Sequence, residues 1–162
     1  MTRLTFVFLL ASSFVFGQAP STPAKSFTAA FQDVNRRLLD MAKDFPEAKY
    51  DYRATKDVRS FGEIIVHVSS GNAYAAKAGR GEKANWDEID PKGYTTKAAM
   101  VALLEKTIAD ADATLKATPP DRFSKTVQPW LAVIEHAGEH YGQLVVYYRN
   151  NGMVPPESRP KK

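Results

Sequence analysis

The chain has 162 residues, 44% of them hydrophobic and 25% charged, with a formal net charge of +4 and no cysteine. That length suits one ordinary domain with a real core, and the lack of cysteine excludes disulfides, a nucleophilic thiol and a cysteine-linked lipid anchor. Arg3, Arg159, Lys161 and Lys162 account for the whole excess of bases over acids, so the body between them is near neutral, unlike nucleic-acid surfaces, which need clustered Lys and Arg.

Residues 1–17, MTRLTFVFLLASSFVFG, place Arg3 before an uncharged apolar run from Leu4 to Phe16. The run falls short of the roughly 20 residues that span a bilayer. A cut after Gly17 would leave Val15 and Gly17 at the two positions where cleavage favours small side chains. This pattern predicts a secretory signal peptide, hence an exported protein, periplasmic or extracellular, with no stable membrane anchor after cleavage. Residues 18–25 read as a polar leader, 26–152 as the folded domain and 153–162 as a basic, solvated tail.

Four helices are expected. The first carries Phe27, Phe31, Val34, Leu38, Met41 and Phe45, spaced by threes and fours as one helical stripe. Thr22-Pro23 or Ser26 can start it and Pro46 ends it. The second opens with the capping box Ser60-x-x-Glu63 and turns Phe61, Ile65, Val68 and Ala75 to the core; Gly79 and Gly81 close it near Ala78. Residues 79–95, GRGEKANWDEIDPKGYT, form a long connection. Links of that length often carry function, but Trp86 reads first as a hydrophobic plug. The third helix begins near Thr95 or Thr96, carries Val101, Leu104, Ile108, Ala111 and Leu115, and stops at Pro119-Pro120. After a second link over 119–128, Pro129 sits in the first turn of the fourth helix. Trp130, Ile134, Ala137, Tyr141, Leu144 and Tyr148 form its stripe, and Asn150-Asn151-Gly152 ends it. The expected fold is all-α: a four-helix bundle with a long connection between helices 2 and 3. Bundles of this kind place metal sites between facing helices.

The chain has three histidines. His136 and His140 stand four apart, which puts both rings on one helical face about 6 Å apart at Cβ. They lie one position off the core stripe, on a flank with Val133, Gln143 and Tyr147. His67 is also one position off its stripe, with Glu63, Ile64, Ser70, Gly71 and Tyr74. If these two helices are neighbours, three neutral imidazoles converge at the bundle edge and leave a coordination position for water or substrate. Gly71, one turn beyond His67, would leave room for a ligand. Glu63, Tyr74, Gln143 and Tyr147 are candidates to orient a substrate or the histidines. There is no H-E-x-x-H, and no Glu-x-x-His pair on each of two helices as di-iron bundles need. One metal ion is the better reading.

Three segments together resemble the DinB superfamily, the DinB/YfiT-like metalloenzymes. They are YDYRATKDVRSFGEIIVHV around His67, GEKANWDEIDPKGYT in the long connection and EHAGEHYGQLVVYYRNNGMVPPES at the end. The resemblance covers about residues 24–158 and matches the family's three histidine positions with His67, His136 and His140. It implies a four-helix bundle holding one divalent metal, zinc or nickel among the candidates. Some members resemble thiol transferases that use a low-molecular-weight thiol such as bacillithiol or mycothiol. Export weakens that option here, since free thiols are scarcer outside the reducing cytoplasm. The reading is therefore an exported metal-dependent transferase or hydrolase acting on a small molecule. The alternative is a non-catalytic module that binds a metal or a small ligand. Assembly as a homodimer is compatible with either.

Overall fold

In the computed structural model the described residues are 22–160; the expected signal peptide, residues 1–17, lies outside them. Among them there are five α-helices and no strand: α1 (Pro23–Asp44), α2 (Phe61–Arg80), α3 (Lys97–Ala117), α4 (Pro120–Lys125) and α5 (Val127–Asn150), with three short 3-10 turns. None of these helices is long and apolar enough to cross a membrane.

Local chemistry sets the helix ends. The Thr22 side chain caps α1, with Pro23 in its first turn. Ser60 and Glu63 complete both halves of the capping box: Glu63 N–H donates to Ser60 Oγ at 3.2 Å and Ser60 N–H to Glu63 Oε2 at 2.8 Å. Gly81 ends α2 at φ +82°, a left-handed conformation that glycine adopts without a Cβ penalty. Gly79, expected to help close α2, instead lies inside it. A Cβ there would stand 2.6 Å from Trp130 Cζ2, so its role is close packing against α5. Thr96 caps α3, and α5 ends through Gly152 at φ +71°.

The helix count departs from expectation at the link over 119–128, which folds into α4. Pro119 and Pro120 stop α3, but Pro120 then occupies the first turn of a new helix, a position that proline favours. Phe123 from that turn is buried and packs edge-on against Phe27, ring centroids 5.4 Å apart. The end of the chain also differs from a free tail. Arg159 pairs with Asp44 of α1 at 2.5 Å, and Arg36 of α1 pairs with Glu157 at 3.0 Å.

Helices α2 and α1 each pack against both α3 and α5. Thirteen of the 20 residues of α2 are buried, so this helix is enclosed on most sides rather than along one stripe. One core cluster gathers Leu38, Phe45, Phe61, Ile65, Leu104, Leu144 and Tyr148, and a second gathers Phe31, Ala75, Ala111, Leu115 and Trp130. Asn72 donates to Asn35 at 3.0 Å and Asn35 donates to the Phe31 carbonyl at 3.0 Å, a buried polar tie between α2 and α1.

Candidate metal centre

The i, i+4 spacing on α5 sets His136 and His140 on the side turned to α2, and His67 meets them from α2. His136 Nε2 stands 2.8 Å from His67 Nε2 and 3.1 Å from His140 Nε2. The ring centroids are 4.5–4.8 Å apart, taking the three pairs together. Imidazole nitrogens sharing one tetrahedral zinc ion stand about 3.3 Å apart. The three side chains, each partly buried, could thus hold a metal ion, and they form the one such cluster among the described residues.

The outer nitrogens determine what the inner ones offer. His67 Nδ1 lies 2.8 Å from Glu88 Oε2, and His140 Nδ1 lies 2.8 Å from Gln143 Oε1. Carboxylate and amide oxygens accept only, so both Nδ1 atoms donate. In the neutral rings both Nε2 atoms are then lone pairs, and both point at His136 Nε2. That nitrogen can carry one proton at most and satisfy one of them. Protonated at Nδ1 instead, His136 adds a third lone pair to the convergence. Hydrogen bonds alone do not close this arrangement, whereas a cation accepts all three lone pairs. His136 Nδ1 is buried with no hydrogen-bond partner.

Burial and neighbouring charges favour the neutral form of His136 and His140. Burial is the main cause pushing His136 down to about 3, with the neighbouring His140, His67 and Arg59 adding to it. Burial also lowers His140, partly opposed by its hydrogen bond to Gln143. Neutral imidazoles are the ligand form.

The long connection, not open space, covers the α2 flank. Ile89 N–H donates to Ser70 Oγ at 2.9 Å, which pins the loop to the helix. Three residues before Ile89 lies Trp86, stacked on Tyr74 at 5.1 Å and edge-on to His136 at 4.7 Å. A Cβ at Gly71 would stand 2.7 Å from Trp86 Cζ2 and 3.2 Å from His136 Nδ1. The space at Gly71 therefore belongs to the tryptophan, rather than to a ligand as the sequence suggested. Trp86 packs as expected, and what it packs against is the histidine cluster.

The other candidates separate clearly. Gln143 touches His140 directly. Tyr147 stands behind it: Gln143 Nε2 donates to Tyr147 Oη at 3.5 Å, and that hydroxyl donates to the Arg59 carbonyl at 2.5 Å. Tyr74 reaches the cluster only through Trp86. Glu63 is not brought to it, because both its oxygens are taken by Ser60 N–H and by Arg53 Nη2 at 2.6 Å; the Arg53 pairing holds its carboxyl below the usual range. Glu88 was missed. It is one of four acids in the connection, and only the loop's path selects it. Glu88→Ala should weaken divalent-metal affinity about 10-fold or more, the usual cost of losing a partner behind a ligating histidine. Competition with a chromophoric chelator checks this.

Residues 30–144 match the DinB superfamily, which fits the all-helical fold and the three converging histidines. The chain belongs to this superfamily. No curated protein matches it.

Proposed function

We propose that the protein is an exported metal-dependent enzyme of the DinB superfamily, built as a four-helix bundle with α4 as an elaboration of one link. His67, His136 and His140 hold one divalent ion, zinc or nickel. The observation that carries this reading is the convergence of three Nε2 atoms whose partners on the outer side, Glu88 and Gln143, orient two of them as lone pairs. The donor set of three neutral imidazoles suits an open, catalytic type of site, since three protein ligands leave a position free.

When bound, a divalent ion supplies Lewis acidity that lowers the pKa of a coordinated water or thiol. The chain's own residues do the rest. Glu88 and Gln143 fix ring orientation and tautomer. Trp86, stacked on Tyr74, excludes water from the His136 side. The reaction is then transfer to or from a thiol, or hydrolysis, on a small molecule. Export is supported by the Leu4–Phe16 run and the small residues that follow it.

One observation favours the second reading, a non-catalytic metal-binding module. The acidic side chain hydrogen-bonded to the cluster, Glu88, faces His67 Nδ1. It therefore serves ring orientation and not proton transfer at the Nε2 edge. Elemental analysis of the purified protein decides the shared premise. About one equivalent of zinc or nickel per chain is expected, and a metal-free protein that does not take up either ion would overturn both readings.

A further inference from the structure

A cavity of about 500 Å³ opens beside the histidine cluster, lined by Arg53, Lys56, Asp57, Val58, Arg59 and Gln143. Gln143 is the wall shared with the cluster, through its hydrogen bond to His140. The opposite wall is the segment between Tyr52 and Ser60, held in place by backbone and side-chain bonds. Phe61 N–H donates to the Tyr52 carbonyl at 3.0 Å, and Arg53 Nη1 donates to the Val58 carbonyl at 2.6 Å. Arg59 is tied to the cluster on two sides. Its carbonyl accepts from Tyr147, which stands behind Gln143, and its guanidinium lies 3.9 Å from Glu88, the partner of His67.

The charges in this cavity are not equivalent. Arg53 is committed to Glu63 at 2.6 Å and to the segment's own backbone. Arg59 touches Glu88 only at long range, with its side chain 49% exposed. Lys56 is exposed and makes no ion pair among the described residues. Asp57 offsets part of the total. That leaves one free ammonium and one loosely held guanidinium, a match for a single negative charge rather than a polyphosphate.

We propose that this cavity binds the carboxylate of a small substrate between Lys56 and Arg59, and that the substrate's other end extends past Gln143 toward the three histidines. The proposal names the substrate class for the metal site and rests on that reading. The carboxylate would anchor the substrate away from the reacting end, which is how remote contacts position a reacting group.

The test uses cobalt-loaded protein and thiol probes followed by their cobalt absorption bands: mercaptoacetate, 3-mercaptopropionate and 4-mercaptobutanoate, each against its neutral amide. At least one acid should bind about tenfold tighter than its amide, as one charge-assisted contact in a partly exposed site allows. Lys56→Ala should remove most of that preference and leave the amide's affinity unchanged. Equal affinities for acid and amide at every chain length would overturn the proposal, as would a preference untouched by both Lys56→Ala and Arg59→Ala. Inorganic phosphate competing better than acetate would overturn the choice of carboxylate. A separate arm uses metal-free protein, in which acetate should shift the backbone amide resonances of residues 53–59 and acetamide should not. If cobalt fails to bind but these shifts appear and vanish in Lys56→Ala, the anion site stands and the metal reading falls.

Discussion

His136→Ala should abolish stoichiometric metal binding, with elemental analysis falling from about one equivalent to background. His136 is the nitrogen common to both short contacts, 2.8 Å to His67 and 3.1 Å to His140. Its loss leaves two ligands on different helices and no atom between them. His67→Ala keeps the i, i+4 pair of α5 together and should retain weak binding, so the two variants rank the ligands. The same His136→Ala variant, metal-free, should also tolerate acid better than the parent. Folded His136 takes up a proton only near 3, whereas the unfolded chain takes it up near 6.5. The parent therefore has its full stability above about 6.5 and loses it as pH falls toward 3, because the unfolded state binds the extra proton. Urea midpoints at neutral and mildly acidic pH read the difference, and an acid loss as large in His136→Ala as in the parent would contradict it.

Phe61→Ala should destabilise the fold by about 3–5 kcal/mol, the usual range for removing a fully buried phenylalanine. Phe61 is completely buried at the first position of α2, next to the capping box. Its ring stacks on Phe45 at 3.9 Å and 9°, and meets Tyr50 at 5.1 Å and Tyr148 at 6.3 Å. One side chain thereby joins the end of α1, the turn after it, α2 and α5. Single domains are stable by only about 5–15 kcal/mol, so this change consumes a large fraction of the total. Leu131→Ala is the control. Leu131 is 47% exposed, and surface substitutions of that kind stay within about 0.5 kcal/mol. Comparable urea midpoints for the two variants would show that Phe61 is not the junction described.

The two positions also separate site from scaffold. Phe61 lies six residues, under two turns, before His67 on α2. Its ring packs on Phe45, Tyr50 and Tyr148 and not on the histidine rings, so loss of the aromatic junction should lower metal affinity only through unfolding. His136→Ala should remove the metal from a chain that still folds, because a His already buried with an unpaired Nδ1 contributes little to the metal-free core.

Much of the scaffold was legible because its signals are local. Ser60 and Glu63, Thr22-Pro23, Thr96 and Gly81 act within one turn of themselves, so their pattern predicts the ends that form. The stripe of α5 is legible for the same reason, and so is the i, i+4 pair on its flank. The α4 turn was not. Pro119-Pro120 signals a stop, and only the docking of Phe123 against Phe27 makes a new helix worth forming there. Tyr141, expected in the core stripe, stays partly exposed beneath Arg37, whose guanidinium lies 5.8 Å from its ring.

The sequence by itself determined the four long helices, the histidine pair of α5 and the phase that sets His67 beside the core of α2, because periodicity and capping are properties of neighbours in the chain. Tertiary structure alone decided which groups stand around those histidines. It sent the long connection over α2, so that Ser70 holds Ile89, Gly71 admits Trp86 and Glu88 reaches His67. It also turned Glu63 away to Arg53 and set the Lys56–Arg59 segment against Gln143. Contacts between residues from 10 to about 90 positions apart depend on the path of the whole chain, and no local pattern encodes that path.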